Sequence, residues 1–248
     1  MRNPEAWKPT KYVMRGGRLR ASRDPREVGV SSRIMAEAIA RAYGEHLPRH
    51  ARGRLVDLGC GKAPLHVVYR DLVDAVTCVD WAGSMHRNEH VDCECDLSRP
   101  LPFADAQFDT IVLSDVLEHI ADPWALCREA ARILAPGGRM LLNTPFYYWL
   151  HELPHDYYRY TEFALRELVG GAGLEVLHLE ALGGIREVLA DLVAKRLQRV
   201  PAAGPLLADL VQSAVMAAGR RRPPGRGPRE TELFPLGYFL VAGRPETA

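Results

Sequence analysis

Between residues 54 and 146 the chain alternates short apolar or β-branched runs with stretches whose apolar positions recur every three to four residues. This is the pattern of strands buried on both faces and separated by covering helices, so it predicts a parallel sheet. The strand candidates, in order, are 54–58, 75–79, a weaker 91–95, 110–114 and 139–143. Between the last two, Asp122 is placed to cap a helix and Pro123 fits its first position. Leu126, Cys127, Ala130, Ala131 and Leu134 then recur at helical spacing, and Pro136-Gly137-Gly138 is the expected stop. Upstream, Ile34, Met35, Ala38, Ile39 and Ala42 predict a helix over 31–43, whereas residues 1–30 show no period.

Downstream the pattern gives a short helix over 161–169, a sixth strand at 174–179 and a final one at 238–242. Some fifty residues between those two strands hold two amphipathic helices. Ile185, Val188, Leu189, Leu192, Val193 and Leu197 form one apolar face. Leu206, Leu207, Leu210, Val211, Ala214 and Val215 form the other. Both faces are expected to be core, in an insertion that roofs the substrate side of the sheet.

Composition narrows the class. The 248 residues carry 32 Lys+Arg against 31 Asp+Glu and are 47% hydrophobic, which suits one globular domain. There is no uncharged apolar window of spanning length and no apolar segment of signal-peptide type at the start, so no transmembrane segment is expected and cytoplasm is the expected compartment. The five cysteines mostly sit in apolar runs and read as buried thiols. Cys93-Glu94-Cys95 lacks a second ligand pair, so no metal is expected there. Residues 1–30 form a basic arm with eight basic residues against three acidic ones, and a second Arg/Pro/Gly-rich stretch over 219–229 has linker composition.

The candidate chemistry starts at Leu55-Val-Asp-Leu-Gly-Cys-Gly61, where a strand ends in a carboxylate followed by two glycines. Glycines there permit a tight turn and let a ligand lie against bare backbone. A dinucleotide fingerprint would need a third glycine where Pro64 stands, and Asp57 would repel a diphosphate but attract a ligand carrying positive charge. Asp80 ends the second strand, nineteen residues beyond Gly61, where a carboxylate can accept from both hydroxyls of a ribose. Trp81 is placed to stack on adenine, and Asp96 with Leu97 to meet its amino group and ring.

These segments, with Phe108 to Pro123 and Leu134 to Arg139, resemble in order the motifs of the class I S-adenosylmethionine (SAM)-dependent methyltransferases, type 11 branch, over roughly residues 53–182. The resemblance implies a Rossmann-like α/β fold with seven strands, helices on both faces, an antiparallel final strand and SAM as cofactor. It implies cofactor contacts at Asp57, Gly59, Cys60, Gly61, Asp80, Trp81, Asp96, Leu97 and Ser114, the last near the sulfonium. The whole chain then reads as one domain: the arm 1–30, a SAM-binding core 31–182, the helical insertion and linker 183–232, and the last strand and tail 233–248.

Methyl transfer needs alignment and exclusion of water, with a base only for a reluctant nucleophile. His119, His151 and His155 are the candidate bases, and for His119 a structural role stays equally open. The segment 145–161 packs five tyrosines, Trp149 and Arg159 around two of these histidines. It marks Tyr147, Tyr148, Trp149, Tyr157 and Arg159 as candidate acceptor contacts. The leading expectation is methylation of an oxygen or nitrogen on a small-molecule acceptor such as a sugar, nucleotide-linked compound or secondary metabolite. The alternatives are a nucleic-acid methyltransferase using the basic arm, which lacks a recognisable base-binding motif, or a SAM-binding partner subunit without activity. The sequence leaves the oligomeric state open.

Overall fold

The computed structural model describes residues 1–85, 89–219 and 233–246. The arm, expected to lack periodicity, contains a hairpin of β1 (Tyr12–Arg15) and β2 (Arg18–Ala21). Its two-residue turn is Gly16-Gly17, both at positive φ (58° and 69°), the conformation that lets strand twist continue through a tight turn. The hairpin is followed by α1 (Arg33–His50), about two turns longer at its C-terminal end than the spacing marked.

The main sheet then assembles β3 (Arg54–Leu58), β4 (Ala75–Asp80), β5 (Cys93–Glu94), β6 (Phe108–Ser114), β7 (Leu134–Pro145), β8 (Glu175–Leu182) and β9 (Gly237–Gly243). Their order is β5-β4-β3-β6-β7-β9-β8. All neighbours are parallel except β9, which runs antiparallel to both β7 and β8. This is the expected Rossmann-like seven-stranded α/β fold. Connections leave β3 toward β4 on one side while β6 pairs on the other. The crevice beyond the C-terminal ends of β3, β4 and β6 is therefore the switch point where ligands bind in such sheets.

Strand alternation divides the core. Ile111, Leu113, Met140 and Leu142 point to the face covered by α3 (Pro123–Ile133) and α4 (Glu162–Gly171). Leu55, Val112, Leu141 and Phe239 point to the other face, against Ile39, Tyr43 and Leu47 of α1. Asp122 caps α3 by accepting from Ala125 N–H at 3.0 Å, with Pro123 at the first position. The helix ends at Ile133, earlier than expected, because Leu134 is already extended and pairs with Phe108. Pro136 to Gly138 instead lie in an irregular part of β7: pairing jumps from Phe108↔Leu134 to Thr110↔Arg139, and Gly137 takes φ 73°. The weak third strand shrinks to the two residues of β5.

The insertion forms α5 (Ile185–Leu197) and α6 (Gly204–Gly219), but neither its burial nor its position is the expected one. Val188, Ala190, Asp191, Ala194 and Lys195 are the buried positions of α5, whereas Leu189, Leu192 and Val193 are exposed, as are Leu206, Leu207 and Leu210 of α6. The pair packs against α1 and the turn before it and lines no part of the large cavity, and Lys195 lies over the Tyr148 ring of the segment 145–161 at 4.0 Å. Gln212 explains part of this placement: buried, it accepts from Ile34 N–H at 2.7 Å and donates to Ser31 C=O at 2.6 Å, so it serves backbone groups at the buried start of α1 that the helix itself cannot pair. Residues 220–229 of the Arg/Pro/Gly-rich stretch lie outside the described residues. Among the described residues no helix is long and apolar enough to cross a membrane.

Candidate active site

A cavity of about 650 Å³ opens at the switch point. Asp57 lines it from β3, Asp80 from the end of β4, Asp96 and Leu97 from the segment after β5, and Ser114 from the end of β6. Gly59, Cys60, Gly61 and Trp81 complete this wall, so all nine sequence-derived cofactor residues lie around one space.

The backbone sets this wall. Gly59 has φ 75°, and a Cβ there would lie 2.6 Å from Val116 Cγ2, so a side chain would displace the turn. Gly59 and Cys60 both donate N–H to Val79 C=O, at 2.8 and 2.9 Å. Asp80 accepts from Gly61 N–H at 3.0 Å with one oxygen and from Trp81 N–H at 2.8 Å with the other. Both oxygens are thereby oriented by backbone N–H groups at the rim of the cavity. Asp57 is buried and accepts from the Tyr69 hydroxyl at 2.8 Å. Burial pushes its carboxyl up to about 7, the Tyr69 hydrogen bond works against the rise, and the Asp80 charge adds to it. Trp81 presents an exposed ring beside His155, edge to face at 5.6 Å.

The facing wall comes from distant segments. Thr10, Lys11, Arg26 and Glu27 of the arm reach the cavity, together with His119, Glu152, His155 and Tyr157. Sequence reasoning missed the arm residues; the Gly-Gly dipeptide between Tyr12-Val-Met-Arg15 and Arg18-Leu-Arg-Ala21 was the available hairpin signal. Lys11 pairs with Asp115 at 2.7 Å, and Lys62 with Glu27 at 3.1 Å. Burial opposes the Lys11 charge, but the Asp115 carboxylate beside it holds the ammonium well above its usual range.

The segment 145–161 is tied to the turn after β6. Tyr157 N–H donates to Glu118 C=O at 2.8 Å, Tyr160 hydroxyl to Leu117 C=O at 2.9 Å, and Tyr158 hydroxyl to Ala121 C=O at 2.9 Å. Arg159 directs all five N–H groups inward: to both oxygens of Asp156 and to the carbonyls of Tyr148, Trp149 and Tyr158. Its place is the frame of the loop. Of the candidate acceptor contacts, Tyr157 lines the large cavity and Tyr148 a smaller one of about 160 Å³ beside it; Tyr147, Trp149 and Arg159 line neither.

The three histidines also separate. His155 lines the large cavity with Nδ1 3.1 Å from Tyr157 Oη. His119 lines it too, with Nδ1 2.6 Å from His155 C=O, which fixes the Nδ1–H tautomer and leaves a lone pair on Nε2. His151 lines the smaller cavity and packs edge to face on His119 at 4.7 Å. Lys11, Glu27, Asp115 and Glu152 border both cavities.

Comparison with known proteins bears on this geometry. The profile of a methyltransferase-domain family matches residues 30–179, more than half of the chain. A ubiquinone biosynthesis O-methyltransferase from Parvibaculum lavamentivorans is 33% identical over 100 residues, 37% of this chain and 40% of that protein. The 27-O-demethylrifamycin SV methyltransferase of Amycolatopsis mediterranei is 33% identical over 109 residues, 39% and 40% of the two chains. The chain thus spans about two fifths of the length of these curated relatives. In fold it is similar to an S-adenosylmethionine-dependent methyltransferase from Mesorhizobium loti, with a TM-score of 0.53 at 17% identity over 85% of this chain and 100% of the other.

Proposed function

The chain belongs to the methyltransferase-domain family, and from that premise we propose that it transfers a methyl group from SAM to an oxygen or nitrogen of a small-molecule acceptor. The observation that carries this reading is the placement of Asp57, Asp80 and Asp96 at the ends of three successive strands around one cavity. Spaced so, the carboxylates match a ligand with an ammonium, a ribose diol and an adenine amino group. The fit rests on the bare backbone at Gly59 and on an Asp80 carboxylate whose two oxygens are already aimed by backbone N–H groups.

Bound there, SAM supplies an electrophilic methyl on a cationic sulfur. The chain's own residues bind and orient. Ionised Asp57 pairs with the ammonium, Asp80 accepts from the ribose hydroxyls, Trp81 stacks on the base, and Leu97 gives it an apolar neighbour. Ser114 lies at the mouth of β6, where the methyl would face the second wall. The smaller cavity, bordered by Tyr148 and His151, is the seat for the acceptor. His119 lines the large cavity beside His151, and its buried Nε2 has no hydrogen-bond partner, so its lone pair can take a proton or serve as a ligand. The relatives' names support an oxygen acceptor: one acts in ubiquinone biosynthesis, the other on 27-O-demethylrifamycin SV.

The arm's charges weigh against nucleic acid as acceptor. Three of its eight basic side chains, Lys11, Arg20 and Arg26, are each paired with a carboxylate of the chain itself, Asp115, Glu37 and Asp24. The test is calorimetry of the full chain with SAM and with NAD. Micromolar SAM binding without NAD binding is expected, followed by transfer of a labelled methyl to hydroxylated acceptors. A folded protein that binds NAD and not SAM would overturn the reading.

A further inference from the structure

Glu118 is fully buried, and neither carboxylate oxygen has a hydrogen-bond partner. A buried carboxylate without donors is among the costlier arrangements a protein can hold. The nearest ring nitrogens are 3.9 Å away, beyond hydrogen-bond reach. Those nitrogens are His119 Nε2 and His151 Nε2, both 3.9 Å from the same oxygen, Oε1. All three atoms lie within 4.8 Å of one another.

The other nitrogen of each ring is turned to an oxygen. His119 Nδ1 meets His155 C=O at 2.6 Å, and His151 Nδ1 lies 3.3 Å from Asp156 Oδ2, a carboxylate held by Arg159. His119 is fixed as metal-binding histidines are, with one nitrogen hydrogen-bonded to a carbonyl and the other left for an ion, while His151 Nδ1 faces the Asp156 carboxylate without a hydrogen bond. Bond lengths of about 2.1 Å in a tetrahedral site put ligand atoms about 3.4 Å apart, so each carboxylate–imidazole spacing needs a contraction of roughly half an ångström and the spacing of the two imidazoles, within 4.8 Å, one of up to about 1.4 Å. Side-chain rotation covers these distances.

We propose that Glu118 Oε1, His119 Nε2 and His151 Nε2 form a site for a first-row divalent cation on the partition between the two cavities. Two imidazoles and one carboxylate suit zinc, iron, cobalt or manganese better than magnesium or calcium, which prefer oxygen throughout. Three ligands leave at least one position open toward the acceptor. Resting on the methyl-transfer reading, the role of the ion is to hold the acceptor's hydroxyl. On coordination the hydroxyl releases its proton to solvent and becomes an oxyanion. Its lone pair bonds to the methyl carbon as the carbon–sulfur bond breaks, and that electron pair stays on a now neutral sulfur.

The test uses the full chain, freed of metal by chelator and titrated with Co²⁺ alone, followed by the visible d–d absorption. One equivalent bound at micromolar affinity or tighter is expected. His151→Ala and Glu118→Gln should each weaken it at least thirtyfold, with circular dichroism and thermal melting reporting the fold. His178→Ala must leave it intact, because His46, His178 and Glu180 form a second cluster with ligand-like spacing on the other side of the sheet. Absence of stoichiometric cobalt, or cobalt lost in His178→Ala but retained in His151→Ala, would overturn the site. Should Glu118→Gln fail to fold, His151→Ala alone decides, since that ring is partly exposed. Cobalt bound without SAM affinity would sink the methyl-transfer reading and leave the site standing; SAM bound without cobalt would do the reverse.

Discussion

The two walls of the large cavity are built by different means. On the cofactor side, the groups stand at the ends of strands whose spacing the sheet dictates, and the N–H groups of Gly59 and Cys60 donating to Val79 C=O, with Gly61 N–H donating to Asp80, hold the loops that carry them. On the facing side, the arm, the turn after β6 and the segment 145–161 are drawn together by side chains: Lys11 with Asp115, Lys62 with Glu27, Arg159 with Asp156. A wall set by the backbone tolerates many sequences and keeps one ligand. A wall set by pairs of side chains changes shape when one partner changes, which suits the half of a site that must differ between acceptors.

Substitutions can break this contrast or sharpen it. The largest effect is expected from Asp80→Ala, which removes two charge-assisted hydrogen bonds to the ribose and should weaken SAM binding about 100-fold or more by calorimetry. Next comes pH. Because the Asp57 carboxyl is raised to about 7, SAM affinity should fall about tenfold from pH 8 to pH 6 as the partner of the ammonium is protonated. The stability of the ligand-free protein should run the opposite way: a carboxyl raised on folding stabilises below its unfolded value near 4, and that contribution is lost as pH rises through 7. Asp57→Asn should flatten both slopes; a SAM affinity that keeps its pH dependence in that variant would remove Asp57 from the ammonium site.

Smaller effects belong to the facing wall. The Lys11 and Asp115 side chains are 35% and 23% exposed, so solvent screens the pair and its loss is nearer 1 kcal/mol than several. Lys11→Met should raise the acceptor KM about fivefold with less change in SAM affinity, and equal changes in both would erase the contrast. Smallest is Arg159→Lys. Three donors on a flexible stem cannot replace a five-donor fork, and the loss of about 1 kcal/mol should lower the melting temperature by about 2–4 °C with SAM affinity unmoved.

Legibility in the sequence followed the same division. Strands β3, β6 and β9 are buried on both faces along most of their length and β4 over its second half, so their side chains had to be apolar runs, and the runs showed them. The strand-end carboxylates were visible because fixed spacing along the chain becomes fixed spacing in the sheet. The hairpin β1–β2 was not, because a two-stranded ribbon with exposed arginines lacks a continuous apolar run. The insertion misled for a different reason. Its leucines pointed to a buried face, yet Ala190, Ala194 and Ala208 are what close helix packing requires, and the buried ions Asp191 and Lys195 neutralise one another there. The partnership of Glu118 with His119 and His151 joins residues adjacent in sequence to one more than thirty positions away. Hydrogen bonds such as Tyr157 N–H to Glu118 C=O and Tyr160 hydroxyl to Leu117 C=O bring that loop to the turn.

Strand β9 lies between β7 and β8 although residues 146–236 separate it from β7 along the chain. During synthesis β8 therefore emerges with no neighbour to join, and the outer edge of β7 stays open while the insertion is being made. An open apolar edge is a template for pairing with other chains. Arrival of β9 closes that edge and attaches β8 in a single event, with its seven residues all buried. The interval before that arrival is when a nascent chain of this protein is most exposed to aggregation.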